Sequence, residues 1–110
     1  KESSEDVAAR ILAARQFQAR RFAGLGRPEL RTNAQADGSL LEEIARPDVS
    51  GLTLLREAAE KMNLSARGYH RVLRVARTLA DLDRQERVSR IHIAEALSYR
   101  QKLLPFQAAA

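Results

Sequence analysis

The stretch that most constrains the fold is residues 64–82, where apolar side chains recur every three to four positions. At about 100° per residue, this spacing is that of an α-helix with one apolar face. Ser65 precedes the apolar positions and is a favourable N-cap, because its hydroxyl can accept a hydrogen bond from a first-turn backbone N–H. The pattern therefore predicts a long helix over residues 66–84.

The two faces of this predicted helix differ in charge. The apolar face comprises Tyr69, Val72, Leu73, Ala76, Leu79 and Ala80. The opposite face comprises Arg67, Arg71, Arg74, Thr78 and Asp81. The helix is therefore predicted to be amphipathic, with a basic stripe on its polar side.

The start of this helix carries residues that a helix start does not favour. The first turn bears the positive end of the macrodipole and prefers acids, yet Arg67 lies in it and Arg71 follows one turn later. Gly68 costs about 1 kcal/mol relative to Ala in a helix interior. An anion such as phosphate would explain these residues together with Ser65, because it would meet free N–H groups, a guanidinium and a residue without Cβ. The alternative is that Arg67 is a solvated surface arginine and Gly68 a tolerated imperfection.

The first quarter of the chain is predicted to be one helix followed by a long connection. Ser3 or Ser4 begins the helix, which runs over about 4–23 with an apolar rhythm through Val7, Ile11, Leu12, Phe17 and Phe22. Arginines in its C-terminal half are expected on a solvated face, where they complement the helix dipole: Arg15, Arg20 and Arg21. The connection over 24–38 contains Asn33, to which no chemistry can be assigned.

Two further helices are predicted before the long one. Ser39 is expected to cap a short helix over 40–45. Asp48 or Ser50 is expected to begin a third helix, and Asn63 to end it.

A last helix completes the predicted fold. Ser89 is expected to cap it, and it should end near Lys102, with the alanine-rich end at 106–110 frayed. His92, early in this helix, is expected to be a surface or half-buried residue rather than a ligand. Because no stretch alternates apolar and polar residues as a strand does, the sequence predicts an all-α bundle of about five helices in one domain over 1–110.

Composition limits the classes of function. The chain has no cysteine and only two histidines, so it offers no disulfide and a poor metal site, and we expect no metal ligands and a cytoplasmic location. Its formal charge of +5 suits phosphate or nucleic acid as a partner. No apolar run approaches the ~20 residues that a membrane span needs. No phosphate loop, His-Glu-x-x-His motif or catalytic triad is present, so we expect a piece of a longer protein that is not an enzyme alone.

The stretch 64–82, followed by Arg90-Ile91-His92-Ile93-Ala94-Glu95-Ala96-Leu97-Ser98-Tyr99-Arg100, resembles the C-terminal domain of magnesium-chelatase-like AAA+ ATPases. Within that family it is most similar to the branch of the bacterial competence proteins of the ComM or YifB type. The resemblance also includes Glu2-Ser3-Ser4 and Asn33-Ala34-Gln35, so it covers nearly the whole chain.

The resemblance implies a helical lid, with the α/β nucleotide-binding core lying upstream of Lys1. By motif, Arg67 corresponds to the family's sensor-2 arginine, which reaches the γ-phosphate of ATP, and Ser65, Gly68 and Arg71 are further candidates. Mg-ATP would be held mainly by the core. The implied partners are that core, neighbouring subunits of a hexameric ring, and DNA, since ComM-like motors act in branch migration during recombination of transforming DNA.

Two other interpretations remain open. Residues 58–73 also resemble a helix-turn-helix, whose recognition helix would contact DNA through Arg67, His70, Arg71 and Arg74. A true motif of this kind commonly has Gly where Asn63 stands, and its second helix is shorter. Alternatively, the chain is a structural bundle that docks a partner protein, and its basic stripe is only solvated.

Overall fold

The computed structural model describes the backbone of residues 2–109 and the side chains of residues 2–100. Its α-helices are α1 (Ser4–Gly24), α2 (Gly38–Ile44), α3 (Val49–Lys61), α4 (Ala66–Leu82) and α5 (Arg90–Ala109), and a short 3₁₀ helix spans Asn33–Gln35. The described backbone contains no strand, only an isolated bridge between Pro47 and Val88. The predicted all-α class is confirmed. Among residues 2–109, none of the helices combines the length and the apolarity needed to span a bilayer.

The long helix predicted from the sequence, α4, is the central element of the bundle. It packs against α5, α1, α2 and the 3₁₀ helix, and α3 packs against α5. Four residues of its predicted apolar face are buried: Val72, Leu73, Ala76 and Ala80. The other two, Tyr69 and Leu79, are partly buried against the same core. The sequence pattern therefore placed the core side of α4 correctly.

Predicted capping residues begin three of the helices. Ser3 and Asp6 form a reciprocal capping box at α1, because each side chain accepts a hydrogen bond from the other's backbone N–H. Asp48 and Ser65 each accept from a first-turn amide of α3 and α4. Asn63 follows α3 with φ of 51°, a left-handed conformation that Asn adopts more readily than most residues. These helix boundaries lie within two residues of those predicted.

The prediction that Ser39 caps the short helix is wrong. α2 begins at Gly38, and Asp37 is the N-cap in extended conformation. Gly38 has φ of 56°, which glycine adopts without steric cost, so the chain can turn into the helix earlier than expected.

The prediction that the last helix ends near Lys102 is also wrong, because α5 continues to Ala109. The segment contains Pro105, which a helix interior disfavours, but its neighbours are mainly Leu, Gln and Ala, which favour helix. The expected fraying at 106–110 is likewise not found at 106–109, which belong to α5, and residue 110 lies outside the described residues.

Three side chains are more buried than the sequence predicted. Asp81 and His92 are buried, and the side chain of Arg21 is only 14% exposed. Each has a partner that offsets the cost of leaving water. Asp81 pairs with Arg21 and Arg77, and the ring of His92 is hydrogen-bonded to Ser89. The polar face assigned to α4 and the solvated face assigned to α1 therefore each need this correction.

Candidate functional site

The four candidate site residues lie together in the first two turns of α4 and its cap. Ser65 is the N-cap, and its Oγ accepts a hydrogen bond from the Gly68 amide at 3.1 Å. Arg67 and Arg71 are exposed, whereas Gly68 is buried. Because the Ser65 hydroxyl caps the helix, its direct contribution is structural, and the charge at this end comes from the arginines.

Arg67 and Arg71 are four residues apart and therefore lie on the same side of α4. Neither guanidinium forms an ion pair or a hydrogen bond with another group among the described residues. A cation near a helix N-terminus is unfavourable by about 0.3–1 kcal/mol, the amount by which an anion there is favourable. The guanidinium groups of Arg67 and Arg71 are thus not paired with an acid among the described residues.

A third guanidinium, that of Arg100 from α5, lies against Gly68 at this end of the helix. The sequence did not predict this contact. A Cβ on Gly68 would lie 3.6 Å from Nη1 and 3.8 Å from Cζ of Arg100, so the side chain of Arg100 from α5 packs directly against the glycine. The Nε atom of Arg100 is buried and has no hydrogen-bond partner among the described atoms. The only sequence signal for this contact was the unusual glycine itself, because nothing local indicates which residue of α5 approaches it.

These residues fit a phosphate and do not fit a metal ion. Guanidinium groups form charge-assisted hydrogen bonds with phosphate oxygens, and the first amides of a helix add further donors. In contrast, the described residues contain no group of three His, Asp or Glu side chains that could hold a metal. If this end of α4 binds Mg-ATP, it contacts phosphate, and the magnesium ligands come from elsewhere.

Arg74 of the basic stripe and the neighbouring His70 both contact other parts of the bundle. Arg74 donates to the carbonyl oxygen of Ala36 at 3.0 Å and to Oδ1 of Asp37 at 3.1 Å. His70 Nε2 lies 2.9 Å from a carboxylate oxygen of Glu42. Two of the four side chains that a helix-turn-helix would use for DNA therefore bind α2 or the segment before it. This geometry weakens the helix-turn-helix interpretation.

An open pocket lies beside Tyr69 on the α2 and α3 side of α4. Arg46, Arg56 and Glu42 line it together with apolar side chains. Burial raises the pKa of the Tyr69 phenol, the charge of Arg56 opposes that rise and the charge of Glu42 adds to it. The pocket therefore contains both signs of charge, from two guanidinium groups and one carboxylate.

The C-terminal half of α4 contains a buried ion pair. Arg77 and Asp81 are 2% and 0% exposed, and their side chains meet at 2.9 Å. Arg77 also donates to the carbonyl oxygens of Ile44, Gln85 and Glu86 at 3.1, 2.7 and 2.8 Å. Burial lowers the pKa of the Arg77 guanidinium, and the charge of Asp81 opposes that shift. Arg77 therefore connects α4 to the end of α2 and to the loop before α5.

Asp81 extends this pair into a network with α1 and the 3₁₀ helix. Its carboxylate accepts from Arg21 at 2.5 and 3.2 Å and from the Asn33 side-chain amide at 2.9 Å. Asn33, which had no predicted role, also donates to the hydroxyl of Thr78 at 3.1 Å. We call Arg21, Asn33, Arg77 and Asp81 the Asp81 network. It fixes one half of α4 to its neighbours, while the other half presents the candidate site.

Comparison with known proteins gives one family model over nearly the whole chain. The model described as "Magnesium chelatase, subunit ChlI C-terminal" matches residues 1–100. The chain is 35% identical over 99 residues to the competence protein ComM of Haemophilus influenzae, covering 90% of this chain and 18% of that protein. It is 40% identical over 100 residues to an uncharacterised protein of Mycobacterium tuberculosis, covering 91% and 19%, and 33% identical over 99 residues to YifB of Escherichia coli, covering 90% and 18%. The chain thus spans less than a fifth of the length of these relatives.

Proposed function

From the premise that this chain belongs to the magnesium chelatase subunit ChlI C-terminal family, we propose that it is the helical lid of an AAA+ ATPase and that Arg67 is its sensor of the ATP γ-phosphate. The observation that carries the proposal is the charge at the start of α4. Arg67 is exposed at the positive end of a capped helix and has no ion-pair partner among the described side chains. Phosphate bound in an adjoining core would supply the missing anion.

The mechanism follows from how α4 is held. ATP in the core would draw the guanidinium of Arg67 toward the γ-phosphate through charge-assisted hydrogen bonds. Arg71 and the glycine-packed Arg100 would add positive charge at the same helix end. Because the core and the Asp81 network fix α4 within the bundle, the bundle would move with Arg67 as one body. Loss of the phosphate would remove this attraction, so the lid would convert the state of the nucleotide into a domain rotation.

The activity of the whole protein is a further part of the proposal. Its parent would be an ATPase that forms a homo-oligomeric ring, expected to be a hexamer, and acts on DNA during recombination of transforming DNA. The similarity to a relative named as a competence protein supports this assignment. Mg-ATP would be bound mainly by the core, and this domain would supply Arg67.

The proposal is tested by ATP turnover of the full-length protein, with and without DNA, for wild type, Arg67→Ala and Arg67→Lys. We expect Arg67→Ala to lower turnover about ten- to hundred-fold, equivalent to the ~1.5–3 kcal/mol of a hydrogen bond to a charged group. Arg67→Lys should recover little, because an ammonium cannot reproduce the two-pronged geometry of a guanidinium. Nucleotide binding and the unfolding transition should be retained.

Arg87→Ala is the matched control, since Arg87 is also exposed and lies in the loop before α5. Its turnover should equal that of wild type. If Arg67→Ala also turns over ATP at the wild-type rate, Arg67 is a solvated surface residue, and the lid proposal loses the observation that carries it. A preference of the wild-type protein for one DNA site by about 10³ would instead support the helix-turn-helix interpretation.

A further inference from the structure

The first half of α1 extends beyond the core of the bundle. Every residue of α1 from Ser4 to Leu12 is exposed, whereas Ala14, Gln18 and Phe22 in its second half are buried. Phe22 belongs to the hydrophobic core, and this second half packs against α4. The helix therefore has one half that the bundle covers and one half that it leaves open.

The buried side of α1 continues into its open half without a break. Ala14, Gln18 and Phe22 lie on one side of α1, and steps of three and then four residues toward the N-terminus reach Ile11 and Val7 on the same side. These two residues are 40% and 37% exposed. Both are β-branched, which disfavours helix relative to Ala or Leu, so helix propensity does not explain them. We call Val7 and Ile11 the upstream stripe.

Further apolar side chains lie beside the upstream stripe, together with polar ones. Ile11 lines an open groove together with the apolar side chains of Ala14, Ala34 and Leu82. The groove is also lined by polar residues: Arg15, Gln18, Thr32, Asn33 and Thr78. Leu12, on the neighbouring side of α1, is 58% exposed. The open surface is therefore continuous with the buried contact between α1 and α4, and a covering element would extend that contact by about two helical turns.

We propose that the upstream stripe is covered by the part of the same polypeptide that precedes this domain. The chain spans only 18–19% of its relatives, and the family model describes a C-terminal region, so most of a relative's chain lies before the matched segment. Such a segment would enter at the start of α1, within a few residues of Val7. Because this segment is covalently linked to α1, its effective concentration at the stripe is in the millimolar range. A separate partner would have to reach a similar concentration to compete with it. The inference rests on the part of the proposed function that places an ATPase core before this domain.

The experiment measures thiol labelling in full-length protein from which other cysteines have been removed. The residues of this chain contribute none. Ile11→Cys is compared with Ala9→Cys, which lies in the same turn, is exposed, and faces away from the upstream stripe. In nucleotide-free native protein, we expect Ile11→Cys to react with Ellman's reagent at least about ten-fold more slowly than Ala9→Cys, since labelling would require local opening. In denaturant the two rates should be equal.

The occupant is identified by dilution. Protection by the same polypeptide should not change over a hundred-fold range of protein concentration, because the contact is intramolecular. Protection that disappears on dilution would identify a second copy and overturn the proposal, as would equal native rates for the two cysteines. Val7→Cys provides an independent second probe if Ile11→Cys does not fold.

The labelling result and the turnover result can fail separately. Labelling is measured without nucleotide, so it reports whether the first half of α1 is shielded and not whether Arg67 contacts phosphate. A protected Ile11→Cys with normal turnover of Arg67→Ala would retain the docking surface and refute the sensor. An unprotected Ile11→Cys with low turnover of Arg67→Ala would refute the docking surface and retain the sensor.

Discussion

Replacing Asp81 by Asn tests whether the Asp81 network is as buried in solution as its geometry indicates. The substitution keeps the shape of the side chain and one carbonyl oxygen, but it removes the negative charge. Arg77 would then remain 2% exposed beside a neutral amide, and Arg21 would lose its ion pair. The charge of Asp81 also opposes the lowering of the pKa of Arg77, so its removal makes the buried guanidinium less favourable.

The expected cost follows from the burial of both partners. Removing one member of a buried ion pair destabilises a protein by about 3–5 kcal/mol, because the other charge stays buried and uncompensated. Arg77 retains its three bonds to carbonyl oxygens, so we expect Asp81→Asn to lie near the lower end, at about 3 kcal/mol. For a domain of this size that corresponds to a fall in Tm of about 12–24 °C.

The control is Asp37→Asn, because Asp37 pairs with Arg74 at 3.1 Å but its side chain is 87% exposed. The side chain of Asp37 makes no capping hydrogen bond, so the substitution acts mainly through the ion pair, at a cost of about 0–1 kcal/mol. Urea unfolding followed by circular dichroism measures both variants at low and high salt. High salt should remove the effect of Asp37→Asn and leave that of Asp81→Asn. An Asp81→Asn protein within about 1 kcal/mol of wild type would refute the burial of the network.

Two further predictions concern the start of α4. Gly68→Ala should raise the free energy of unfolding by up to about 1 kcal/mol, because a Cβ there meets Ser65 and Arg100 only at ordinary contact distances of 3.4–3.8 Å. If a phosphate approaches the glycine, the same variant should lower ATP turnover of the full-length protein, whereas unchanged turnover would assign the glycine to packing alone. Since burial raises the pKa of Tyr69 in the folded state, the unfolded chain loses its phenolic proton first above about pH 10, and the free energy of unfolding should fall as pH rises from there. Tyr69→Phe should reduce that slope in alkaline urea titrations, and an unchanged slope would contradict the assigned shift.

Features set by neighbouring residues were predictable from the sequence. The cap Ser65 and the apolar face of α4 depend on a few positions along the chain, and the structure confirms them. For α1 and α3 the sequence left two candidate caps each, and the structure selects Ser3 and Asp48. The predicted start of α2 was wrong, because two neighbouring residues each favour the beginning of a helix. Ser39 is a good capping residue, but Gly38 can adopt positive φ and lets the helix begin before it.

The Asp81 network could not be predicted, because its partners are far apart in sequence. Asp81 lies 60 positions from Arg21 and 48 from Asn33. The spacing of Arg77 and Asp81 is that of an i,i+4 pair, which on most helices is a solvated surface contact. Burial distinguishes a pair such as Arg77 and Asp81 from a solvated surface pair. That burial depends on how α1 and the 3₁₀ helix pack against α4. The same limit applies to Arg100, whose contact with Gly68 joins two helices.

The two ends of α4 therefore differ in a way that matters for the proposed lid. At the C-terminal end, Arg77 and Asp81 bind groups from α1, α2, the 3₁₀ helix and the loop before α5. At the N-terminal end, Arg67 has no ion pair among the described residues and faces solvent. A force applied to Arg67 cannot shift α4 alone without breaking the Asp81 network, at a cost of about 3 kcal/mol or more. If Arg67 contacts phosphate as we propose, moving the whole bundle would accommodate that contact more favourably than moving α4 alone, and the proposed lid would respond to nucleotide as one rigid body.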